Sequence, residues 1–144
     1  MCDMEIRPDR SDEILLGDNG YGIWKSTDAG ASWSQKFNAT SGEVPMITYD
    51  RTDNNIVYAT RFSGGGGMLK STDAGETWNY MNSIVFLGTN TWGVTTSVAN
   101  PSYVYMGTYG GSDPVRGIWM SRNRGETWVR LATMGLGSFS NDGI

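Results

Sequence analysis

"KSTDAGETW", residues 70–78, is the stretch whose reading decides the fold, because the chain writes it three times. "KSTDAGASW" occupies 25–33 and "MSRNRGETW" occupies 120–128. The closing residues Trp33, Trp78 and Trp128 are spaced by 45 and 50 residues (78 − 33 and 128 − 78). A period of that size marks a repeat architecture in which each unit is one supersecondary block.

Working outward, the flanks repeat in phase with the phrase. Immediately upstream lie the strand-like runs "EILLGD" (13–18), "NIVYAT" (55–60) and "YVYMGT" (103–108). Further upstream lie "MEIRPD" (4–9), "MITYD" (46–50) and "GVTTSV" (93–98), joined to the first set by the polar turns "RSD", "RTDNN" and "ANPS". After each phrase comes a short amphipathic run: "SQKFNA", "NYMNS" or "VRLAT". Each unit therefore reads strand, turn, strand, loop, strand, repeated turn, strand. Four antiparallel strands in about 45 residues is the size of one propeller blade. No segment holds a 3.6-residue period over a useful length, so the expected class is all-β with little or no helix. The expected blades are 1–39, 40–84 and 85–135. "SFSNDGI" (138–144) resembles "GTNTWGV" (88–94), so 136–144 reads as the start of a further blade. The 144 residues are thus expected to form one β-propeller segment of three four-stranded blades, belonging to a larger propeller.

The pattern S-x-D-x-G-x-T-W resembles the Asp-box, or BNR, repeat. That repeat is found in sialidases, xyloglucanase-type glycoside hydrolases, sortilin-type receptors and a photosystem II assembly factor. The residues that carry the resemblance are Ser71, Asp73, Gly75, Thr77 and Trp78, then Ser26, Asp28, Gly30, Ser32 and Trp33. The third copy keeps Ser121, Gly125, Thr127 and Trp128 but has Asn123 in the Asp place. The wording "NPSYVYMGT" (100–108) and "GIWMSRNRGETW" (117–128) is most similar to the xyloglucanase-type hydrolases. The resemblance implies a propeller with these turns away from the active face, and an extracellular or periplasmic location. It implies little chemistry, because function sits on sites grafted onto a shared fold.

The residue types in the phrase also explain themselves as scaffold. An Asp carboxylate accepts backbone N–H groups that a tight turn leaves unpaired, and an Asn amide oxygen does the same. Gly allows positive φ. A Trp opening the last strand packs between blades, so the three Trp residues are expected to be buried at equivalent places.

Composition narrows the rest. With 11 basic and 15 acidic residues and no basic cluster, binding to a nucleic-acid backbone is not expected. No run of 18 apolar residues exists, so no membrane span is expected. The opening "MCDMEIRPD" lacks the charged and apolar regions of a signal peptide. With Cys2 the only cysteine and no histidine at all, an intrachain disulfide, a His-based triad and a His-ligated metal are excluded within these residues. No metal and no cofactor is expected. "SGGGGMLKST" (63–72) is not a P-loop, because Leu69 stands where Gly must precede the Lys, and Lys25-Ser26 recurs without the glycines. "DRTDNN" (50–55) lacks the Gly and the closing Glu of a calcium loop. "NAT" (38–40) is a glycosylation sequon by pattern.

Variation points to the other side of the scaffold. From Leu15, Val57 and Val104 to Lys25, Lys70 and Met120 the intervals are 10, 13 and 16 residues, so this loop grows while the phrase is held constant. Loops varying on one face of a fixed frame are what a binding surface needs. These loops and the blade linkers supply the ligand-binding candidates Tyr21, Arg61, Phe62, Trp92, Tyr109, Asp113 and Arg116, with the carboxylates Asp18, Glu43 and Asp142 nearby. Aromatic faces stack on pyranoses and carboxylates grip or protonate their oxygens, so a polysaccharide or oligosaccharide is the expected ligand. No residue matches the catalytic carboxylates of the hydrolases, so no catalytic residue is assigned and these residues alone are not expected to be active. The alternative is a non-catalytic propeller for protein interaction or assembly. The same residues also read as ordinary solvated loops, with Trp92 buried in a strand. Further blades are expected to come from additional sequence or another copy.

Overall fold

The computed structural model describes residues 3–40, 42–63, 66–81, 90–109 and 116–131. They form twelve strands and no helix, arranged as three four-stranded antiparallel sheets. Blade 1 contains β1 (Asp3–Ile6), β2 (Ile14–Asp18), β3 (Gly22–Ser26) and β4 (Ser34–Phe37). Blade 2 contains β5 (Ile47–Tyr49), β6 (Val57–Thr60), β7 (Met68–Ser71) and β8 (Asn79–Tyr80). Blade 3 contains β9 (Asn90–Thr96), β10 (Val104–Tyr109), β11 (Gly117–Ser121) and β12 (Val129–Arg130). Within each blade, chain order is also spatial order. The expected start of a further blade at 136–144 lies outside the described residues.

Strand register makes the repeat physical. One cross-strand row runs Met4–Leu16–Trp24 in blade 1, Ile47–Ala59–Leu69 in blade 2 and Val94–Met106–Trp119 in blade 3. The next row, on the opposite face, runs Glu5–Leu15–Lys25, Thr48–Tyr58–Lys70 and Thr95–Tyr105–Met120. Register is fixed to the residue because a one-position slip would move every side chain to the other face. The counterparts of Leu15 are therefore Tyr58 and Tyr105, one position on from the Val57 and Val104 chosen by sequence pattern. The loop still lengthens from blade to blade.

The blades stack in chain order and bury apolar side chains between their faces. The first core joins Leu15 and Ile23 to Ile47, Val57, Leu69 and Trp78. The second joins Tyr58 and Met68 to Val94, Val104, Met106 and Trp119. Each blade thus has an outgoing face, carrying the Leu15-type row, and an incoming face, carrying the Met4-type row.

Candidate functional site

The three repeated turns share one hydrogen-bond design. Ser26 Oγ donates to Asp28 Oδ1 at 2.8 Å and accepts Gly30 N at 2.8 Å. Ser71 repeats this with Asp73 and Gly75 at 2.7 and 2.8 Å, and Ser121 with Asn123 and Gly125 at 2.9 and 2.8 Å. Asp28 Oδ1 accepts Ser32 N at 2.8 Å, Asp73 Oδ1 accepts Thr77 N at 2.8 Å, and Asn123 Oδ1 accepts Thr127 N at 2.9 Å. The second carboxylate oxygen accepts a hydroxyl from Ser32 or Thr77, at 2.5 and 2.6 Å. In the third turn the direction reverses, and Asn123 Nδ2 donates to Thr127 Oγ1 at 2.9 Å. Each Trp indole N–H donates to the turn glycine's carbonyl, at 3.0, 3.1 and 2.9 Å. Gly30, Gly75 and Gly125 sit at φ of 92°, 86° and 90°, where a side chain would be strained.

This network fixes the ionisation of both carboxylates. Hydrogen bonds from Ser32, through side chain and backbone, and from Ser26 hold Asp28 down to about 2. Partial burial pushes Asp73 up, but the bonds from Thr77 and Ser71 outweigh it and leave the group below its ordinary value. Both oxygens of each carboxylate accept from within their own turn, so the turn has the chemistry of a staple.

The turns also join blades, through residues that sequence reasoning missed. Lys25, only 3% exposed, crosses to the second turn and donates to Ala74 O at 2.9 Å and Glu76 Oε1 at 2.8 Å. Lys70 repeats the move to the third turn, donating to Arg124 O at 2.9 Å with Glu126 Oε1 at 3.5 Å. Glu13 Oε2 sits 3.1 Å from Lys25 and 2.9 Å from Arg7. Burial would raise its pKa, but these cations outweigh it and bring it to about 2. The available signal was Lys opening two of the three phrases and Glu following the glycine in two of them.

Burial of the three Trp residues is not equal, contrary to expectation. Trp78 is 9% exposed because its turn lies against blade 1, with Leu15 so close to Gly75 that a Cβ there would sit 2.7 Å from Leu15 Cδ2. Trp128 packs onto the second core but remains half-buried. Trp33 is half-buried because no blade among the described residues covers its turn.

At the other end of the blades, loops and linkers zip together. Glu43 in the first linker exchanges backbone hydrogen bonds with Phe62, at 2.8 and 2.9 Å, and also bridges to Asn19. Thr91 N donates to Arg61 O at 3.0 Å, and Ser63 N donates to Asn90 Oδ1 at 2.8 Å. This ribbon aligns Asn19, Glu43 and Phe62 across neighbouring strands and sets Phe62 against Trp92. Trp92 is exposed at 55%, not buried in a strand. The cause is a bulge: Thr108 pairs with Thr91 and Gly107 with Gly93, leaving Trp92 as the extra residue. A bulge re-aims a side chain. The Trp92 ring stands edge-on to Phe62, with centroids 4.8 Å apart and planes at 87°.

The remaining candidates divide. Tyr21 is 65% exposed on the β2–β3 turn, and Arg116 is exposed before β11. Arg61 is a correction: it is 4% exposed, bonded to Tyr80 OH and to Ala39 O, with its guanidinium over the Phe37 and Tyr80 rings. It holds the linker from beneath. Tyr109 ends β10, paired with Asn90, and Asp113 and Asp142 lie outside the described residues. Asp50, buried in the "DRTDNN" turn, accepts from Thr52 N, Thr52 Oγ1 and Asp53 N and faces Arg124 Nε at 3.5 Å. Among the described residues, no three His, Cys, Asp or Glu side chains are grouped to hold a metal ion.

No protein-family model and no curated protein sequence matches this chain. Solved structures do. An ancestral GH74 enzyme superposes with a TM-score of 0.74 at 15% identity, over 90% of this chain and 18% of the enzyme. The GH74 enzyme of Niastella koreensis gives 0.68 at 20% identity, over 88% and 20%. YCF48 bound to D1 peptide gives 0.65 at 18% identity, over 90% and 38%. The chain therefore spans about a fifth of the GH74 enzymes and under two fifths of YCF48. All are β-propellers, and the three sheets described above are propeller blades.

Proposed function

We propose that the chain is a segment of an Asp-box (BNR) propeller, working outside the cytoplasm, that binds polysaccharide on its loop face. Trp92, Phe62 and Tyr21 are the aromatic platform, Glu43 is the nearby polar grip, and the repeated turns are scaffold. The observation that carries this reading is the bulge that turns Trp92 outward against Phe62. Beyond its edge contact with Phe62 the indole is largely open to solvent, and its exposed face suits the apolar side of a sugar ring. The likeness to GH74 enzymes supports the ligand class at the level of fold. A catalytic role is not assigned, because no pair of carboxylates has been matched to the acid and base of a hydrolase.

A second reading, peptide binding, is favoured by the likeness to YCF48 captured with a D1 peptide. Calorimetric titration of the 144-residue chain with xyloglucan oligosaccharides separates the two. Binding that is lost in Trp92→Ala with melting unchanged supports the glycan reading. No heat with any β-glucan oligosaccharide, alongside saturable binding of an extended peptide, overturns it.

A further inference from the structure

Asn38, Ala39 and Thr40 follow β4, the edge strand of blade 1. They are the only Asn-x-Ser/Thr triplet in the sequence without a central proline, since Asn100-Pro101-Ser102 carries the residue that blocks the motif. The structure holds the triplet by its middle. Ala39 is 3% exposed, and its carbonyl accepts a hydrogen bond from the Arg61 guanidinium. A Cβ on Gly22 would stand 2.8 Å from the Ala39 nitrogen, so the β2–β3 turn packs directly against this segment. Asn38 and Thr40 flank the anchored residue on exposed positions, and neither belongs to a core.

The two exposed side chains are engaged with each other. Asn38 Oδ1 accepts Thr40 N at 3.0 Å and Thr40 Oγ1 at 3.3 Å. The carboxamide is thus fixed by its oxygen, while Asn38 Nδ2 donates to nothing among the described residues. Thr40 sits at φ of 33°, in the left-handed region. A β-branched side chain is strained there, and Asn or Gly is the comfortable choice. What Thr adds at this place is its hydroxyl, and among the described residues that hydroxyl bonds to Asn38 alone. A strained residue kept at a surface position is a pointer to function. All these bonds lie within three residues, so an emerging chain can make them before the blades close.

We propose that Asn38 is an acceptor for an N-linked oligosaccharide. The inference rests on the reading that the chain works outside the cytoplasm. In the transfer, Asn38 Nδ2 bonds to C1 of the first sugar of a polyprenyl diphosphate-linked oligosaccharide. The bond from C1 to the diphosphate oxygen breaks, and the polyprenyl diphosphate leaves with the electron pair. One Nδ2 proton passes to a base of the transferase. The product is bulky and solubilising, and at the exposed end of β4 it also shields a strand edge from pairing with another chain.

Expression of the 144-residue chain behind a cleavable signal sequence in yeast tests the site whatever compartment the native host uses. We expect a species of raised, heterogeneous mass that falls to the chain mass after peptide-N-glycosidase digestion, with the modified peptide mapped to Asn38. Asn38→Gln should abolish the shift. Thr40→Asn should abolish it as well, and because Asn suits positive φ that loss is not a failure to fold. Thr40→Ser keeps the hydroxyl and should keep the shift. A parent chain that enters the secretory pathway without an N-linked glycan, or a glycan that persists in Asn38→Gln, would overturn the proposal. Xyloglucan-oligosaccharide binding is measured on unglycosylated chain from the bacterial cytoplasm, so failure of the binding reading is seen separately.

Discussion

The two ends of the blades solve opposite problems. The turn end is written three times in nearly the same letters and closes its hydrogen bonds on itself: Asp28 and Asp73 both stay ionised by accepting from their own turns. The loop end is written differently in each blade and leaves aromatic surface open at Tyr21 and Trp92. Repetition marks what every blade needs in order to stand. The binding reading rests on the departures from it.

That comparison is broken most severely, if it is wrong, at Trp78. Replacing it with Ala opens a cavity between blades 1 and 2, and we expect a loss of about 3–5 kcal/mol in chemical denaturation, with any ligand affinity per folded molecule unchanged. Next comes Lys25→Met, which strips the cation from between Glu13 and Glu76; a loss of about 3 kcal/mol is expected. Lys70→Met should cost less, because its partner Glu126 is the more exposed acid. Asp73→Ala, which leaves the Thr77 amide and two hydroxyls without their acceptor, should cost about 1–3 kcal/mol. Asp28→Ala should cost less than Asp73→Ala, since its turn is uncovered.

Acid sharpens the same contrast. Glu13, held at about 2 against an ordinary 4.5, and the lowered Asp28, Asp73 and Glu76 all bind protons more readily when unfolded. Their contribution is complete above the unfolded values and is lost as pH falls through the folded ones. Melting temperature should therefore be flat from pH 7 to 5 and fall steadily from about pH 4.5 to 2. In the Lys25→Met variant that fall should be shallower, because the cation that lowers Glu13 and Glu76 is gone.

The fold was legible because its signals were local and repeated. A Ser, an Asp or Asn and a Gly at fixed spacing dictate the turn, and alternating apolar runs dictate the strands. The order of four strands within each repeat followed from the period. What pattern alone missed was cross-blade. Val57 and Val104 look like the counterparts of Leu15, but register selects Tyr58 and Tyr105, because only pairing with Lys70 and Met120 decides phase. Lys25 reads only as the opening residue of the repeated phrase, and its burial depends on the second turn packing over it. Arg61 reads as a surface cation, yet it is drawn under the linker by Ala39 O and two aromatic rings. Trp92 was nameable as a candidate, but its outward aim depends on a bulge set by its partner strand, which no window around residue 92 encodes.

The central claim is that the turns are scaffold and the loop face is the binding surface. A paired measurement tests it most directly: thermal melting and xyloglucan-oligosaccharide binding, each on Asp73→Ala and Trp92→Ala. The account predicts that Asp73→Ala melts lower and still binds, while Trp92→Ala loses no more than the Phe62 ring contact, about 1 kcal/mol, and at least 10-fold in affinity. Unchanged melting with lost binding in Asp73→Ala, together with intact binding in Trp92→Ala, would contradict it and place the site in the turns.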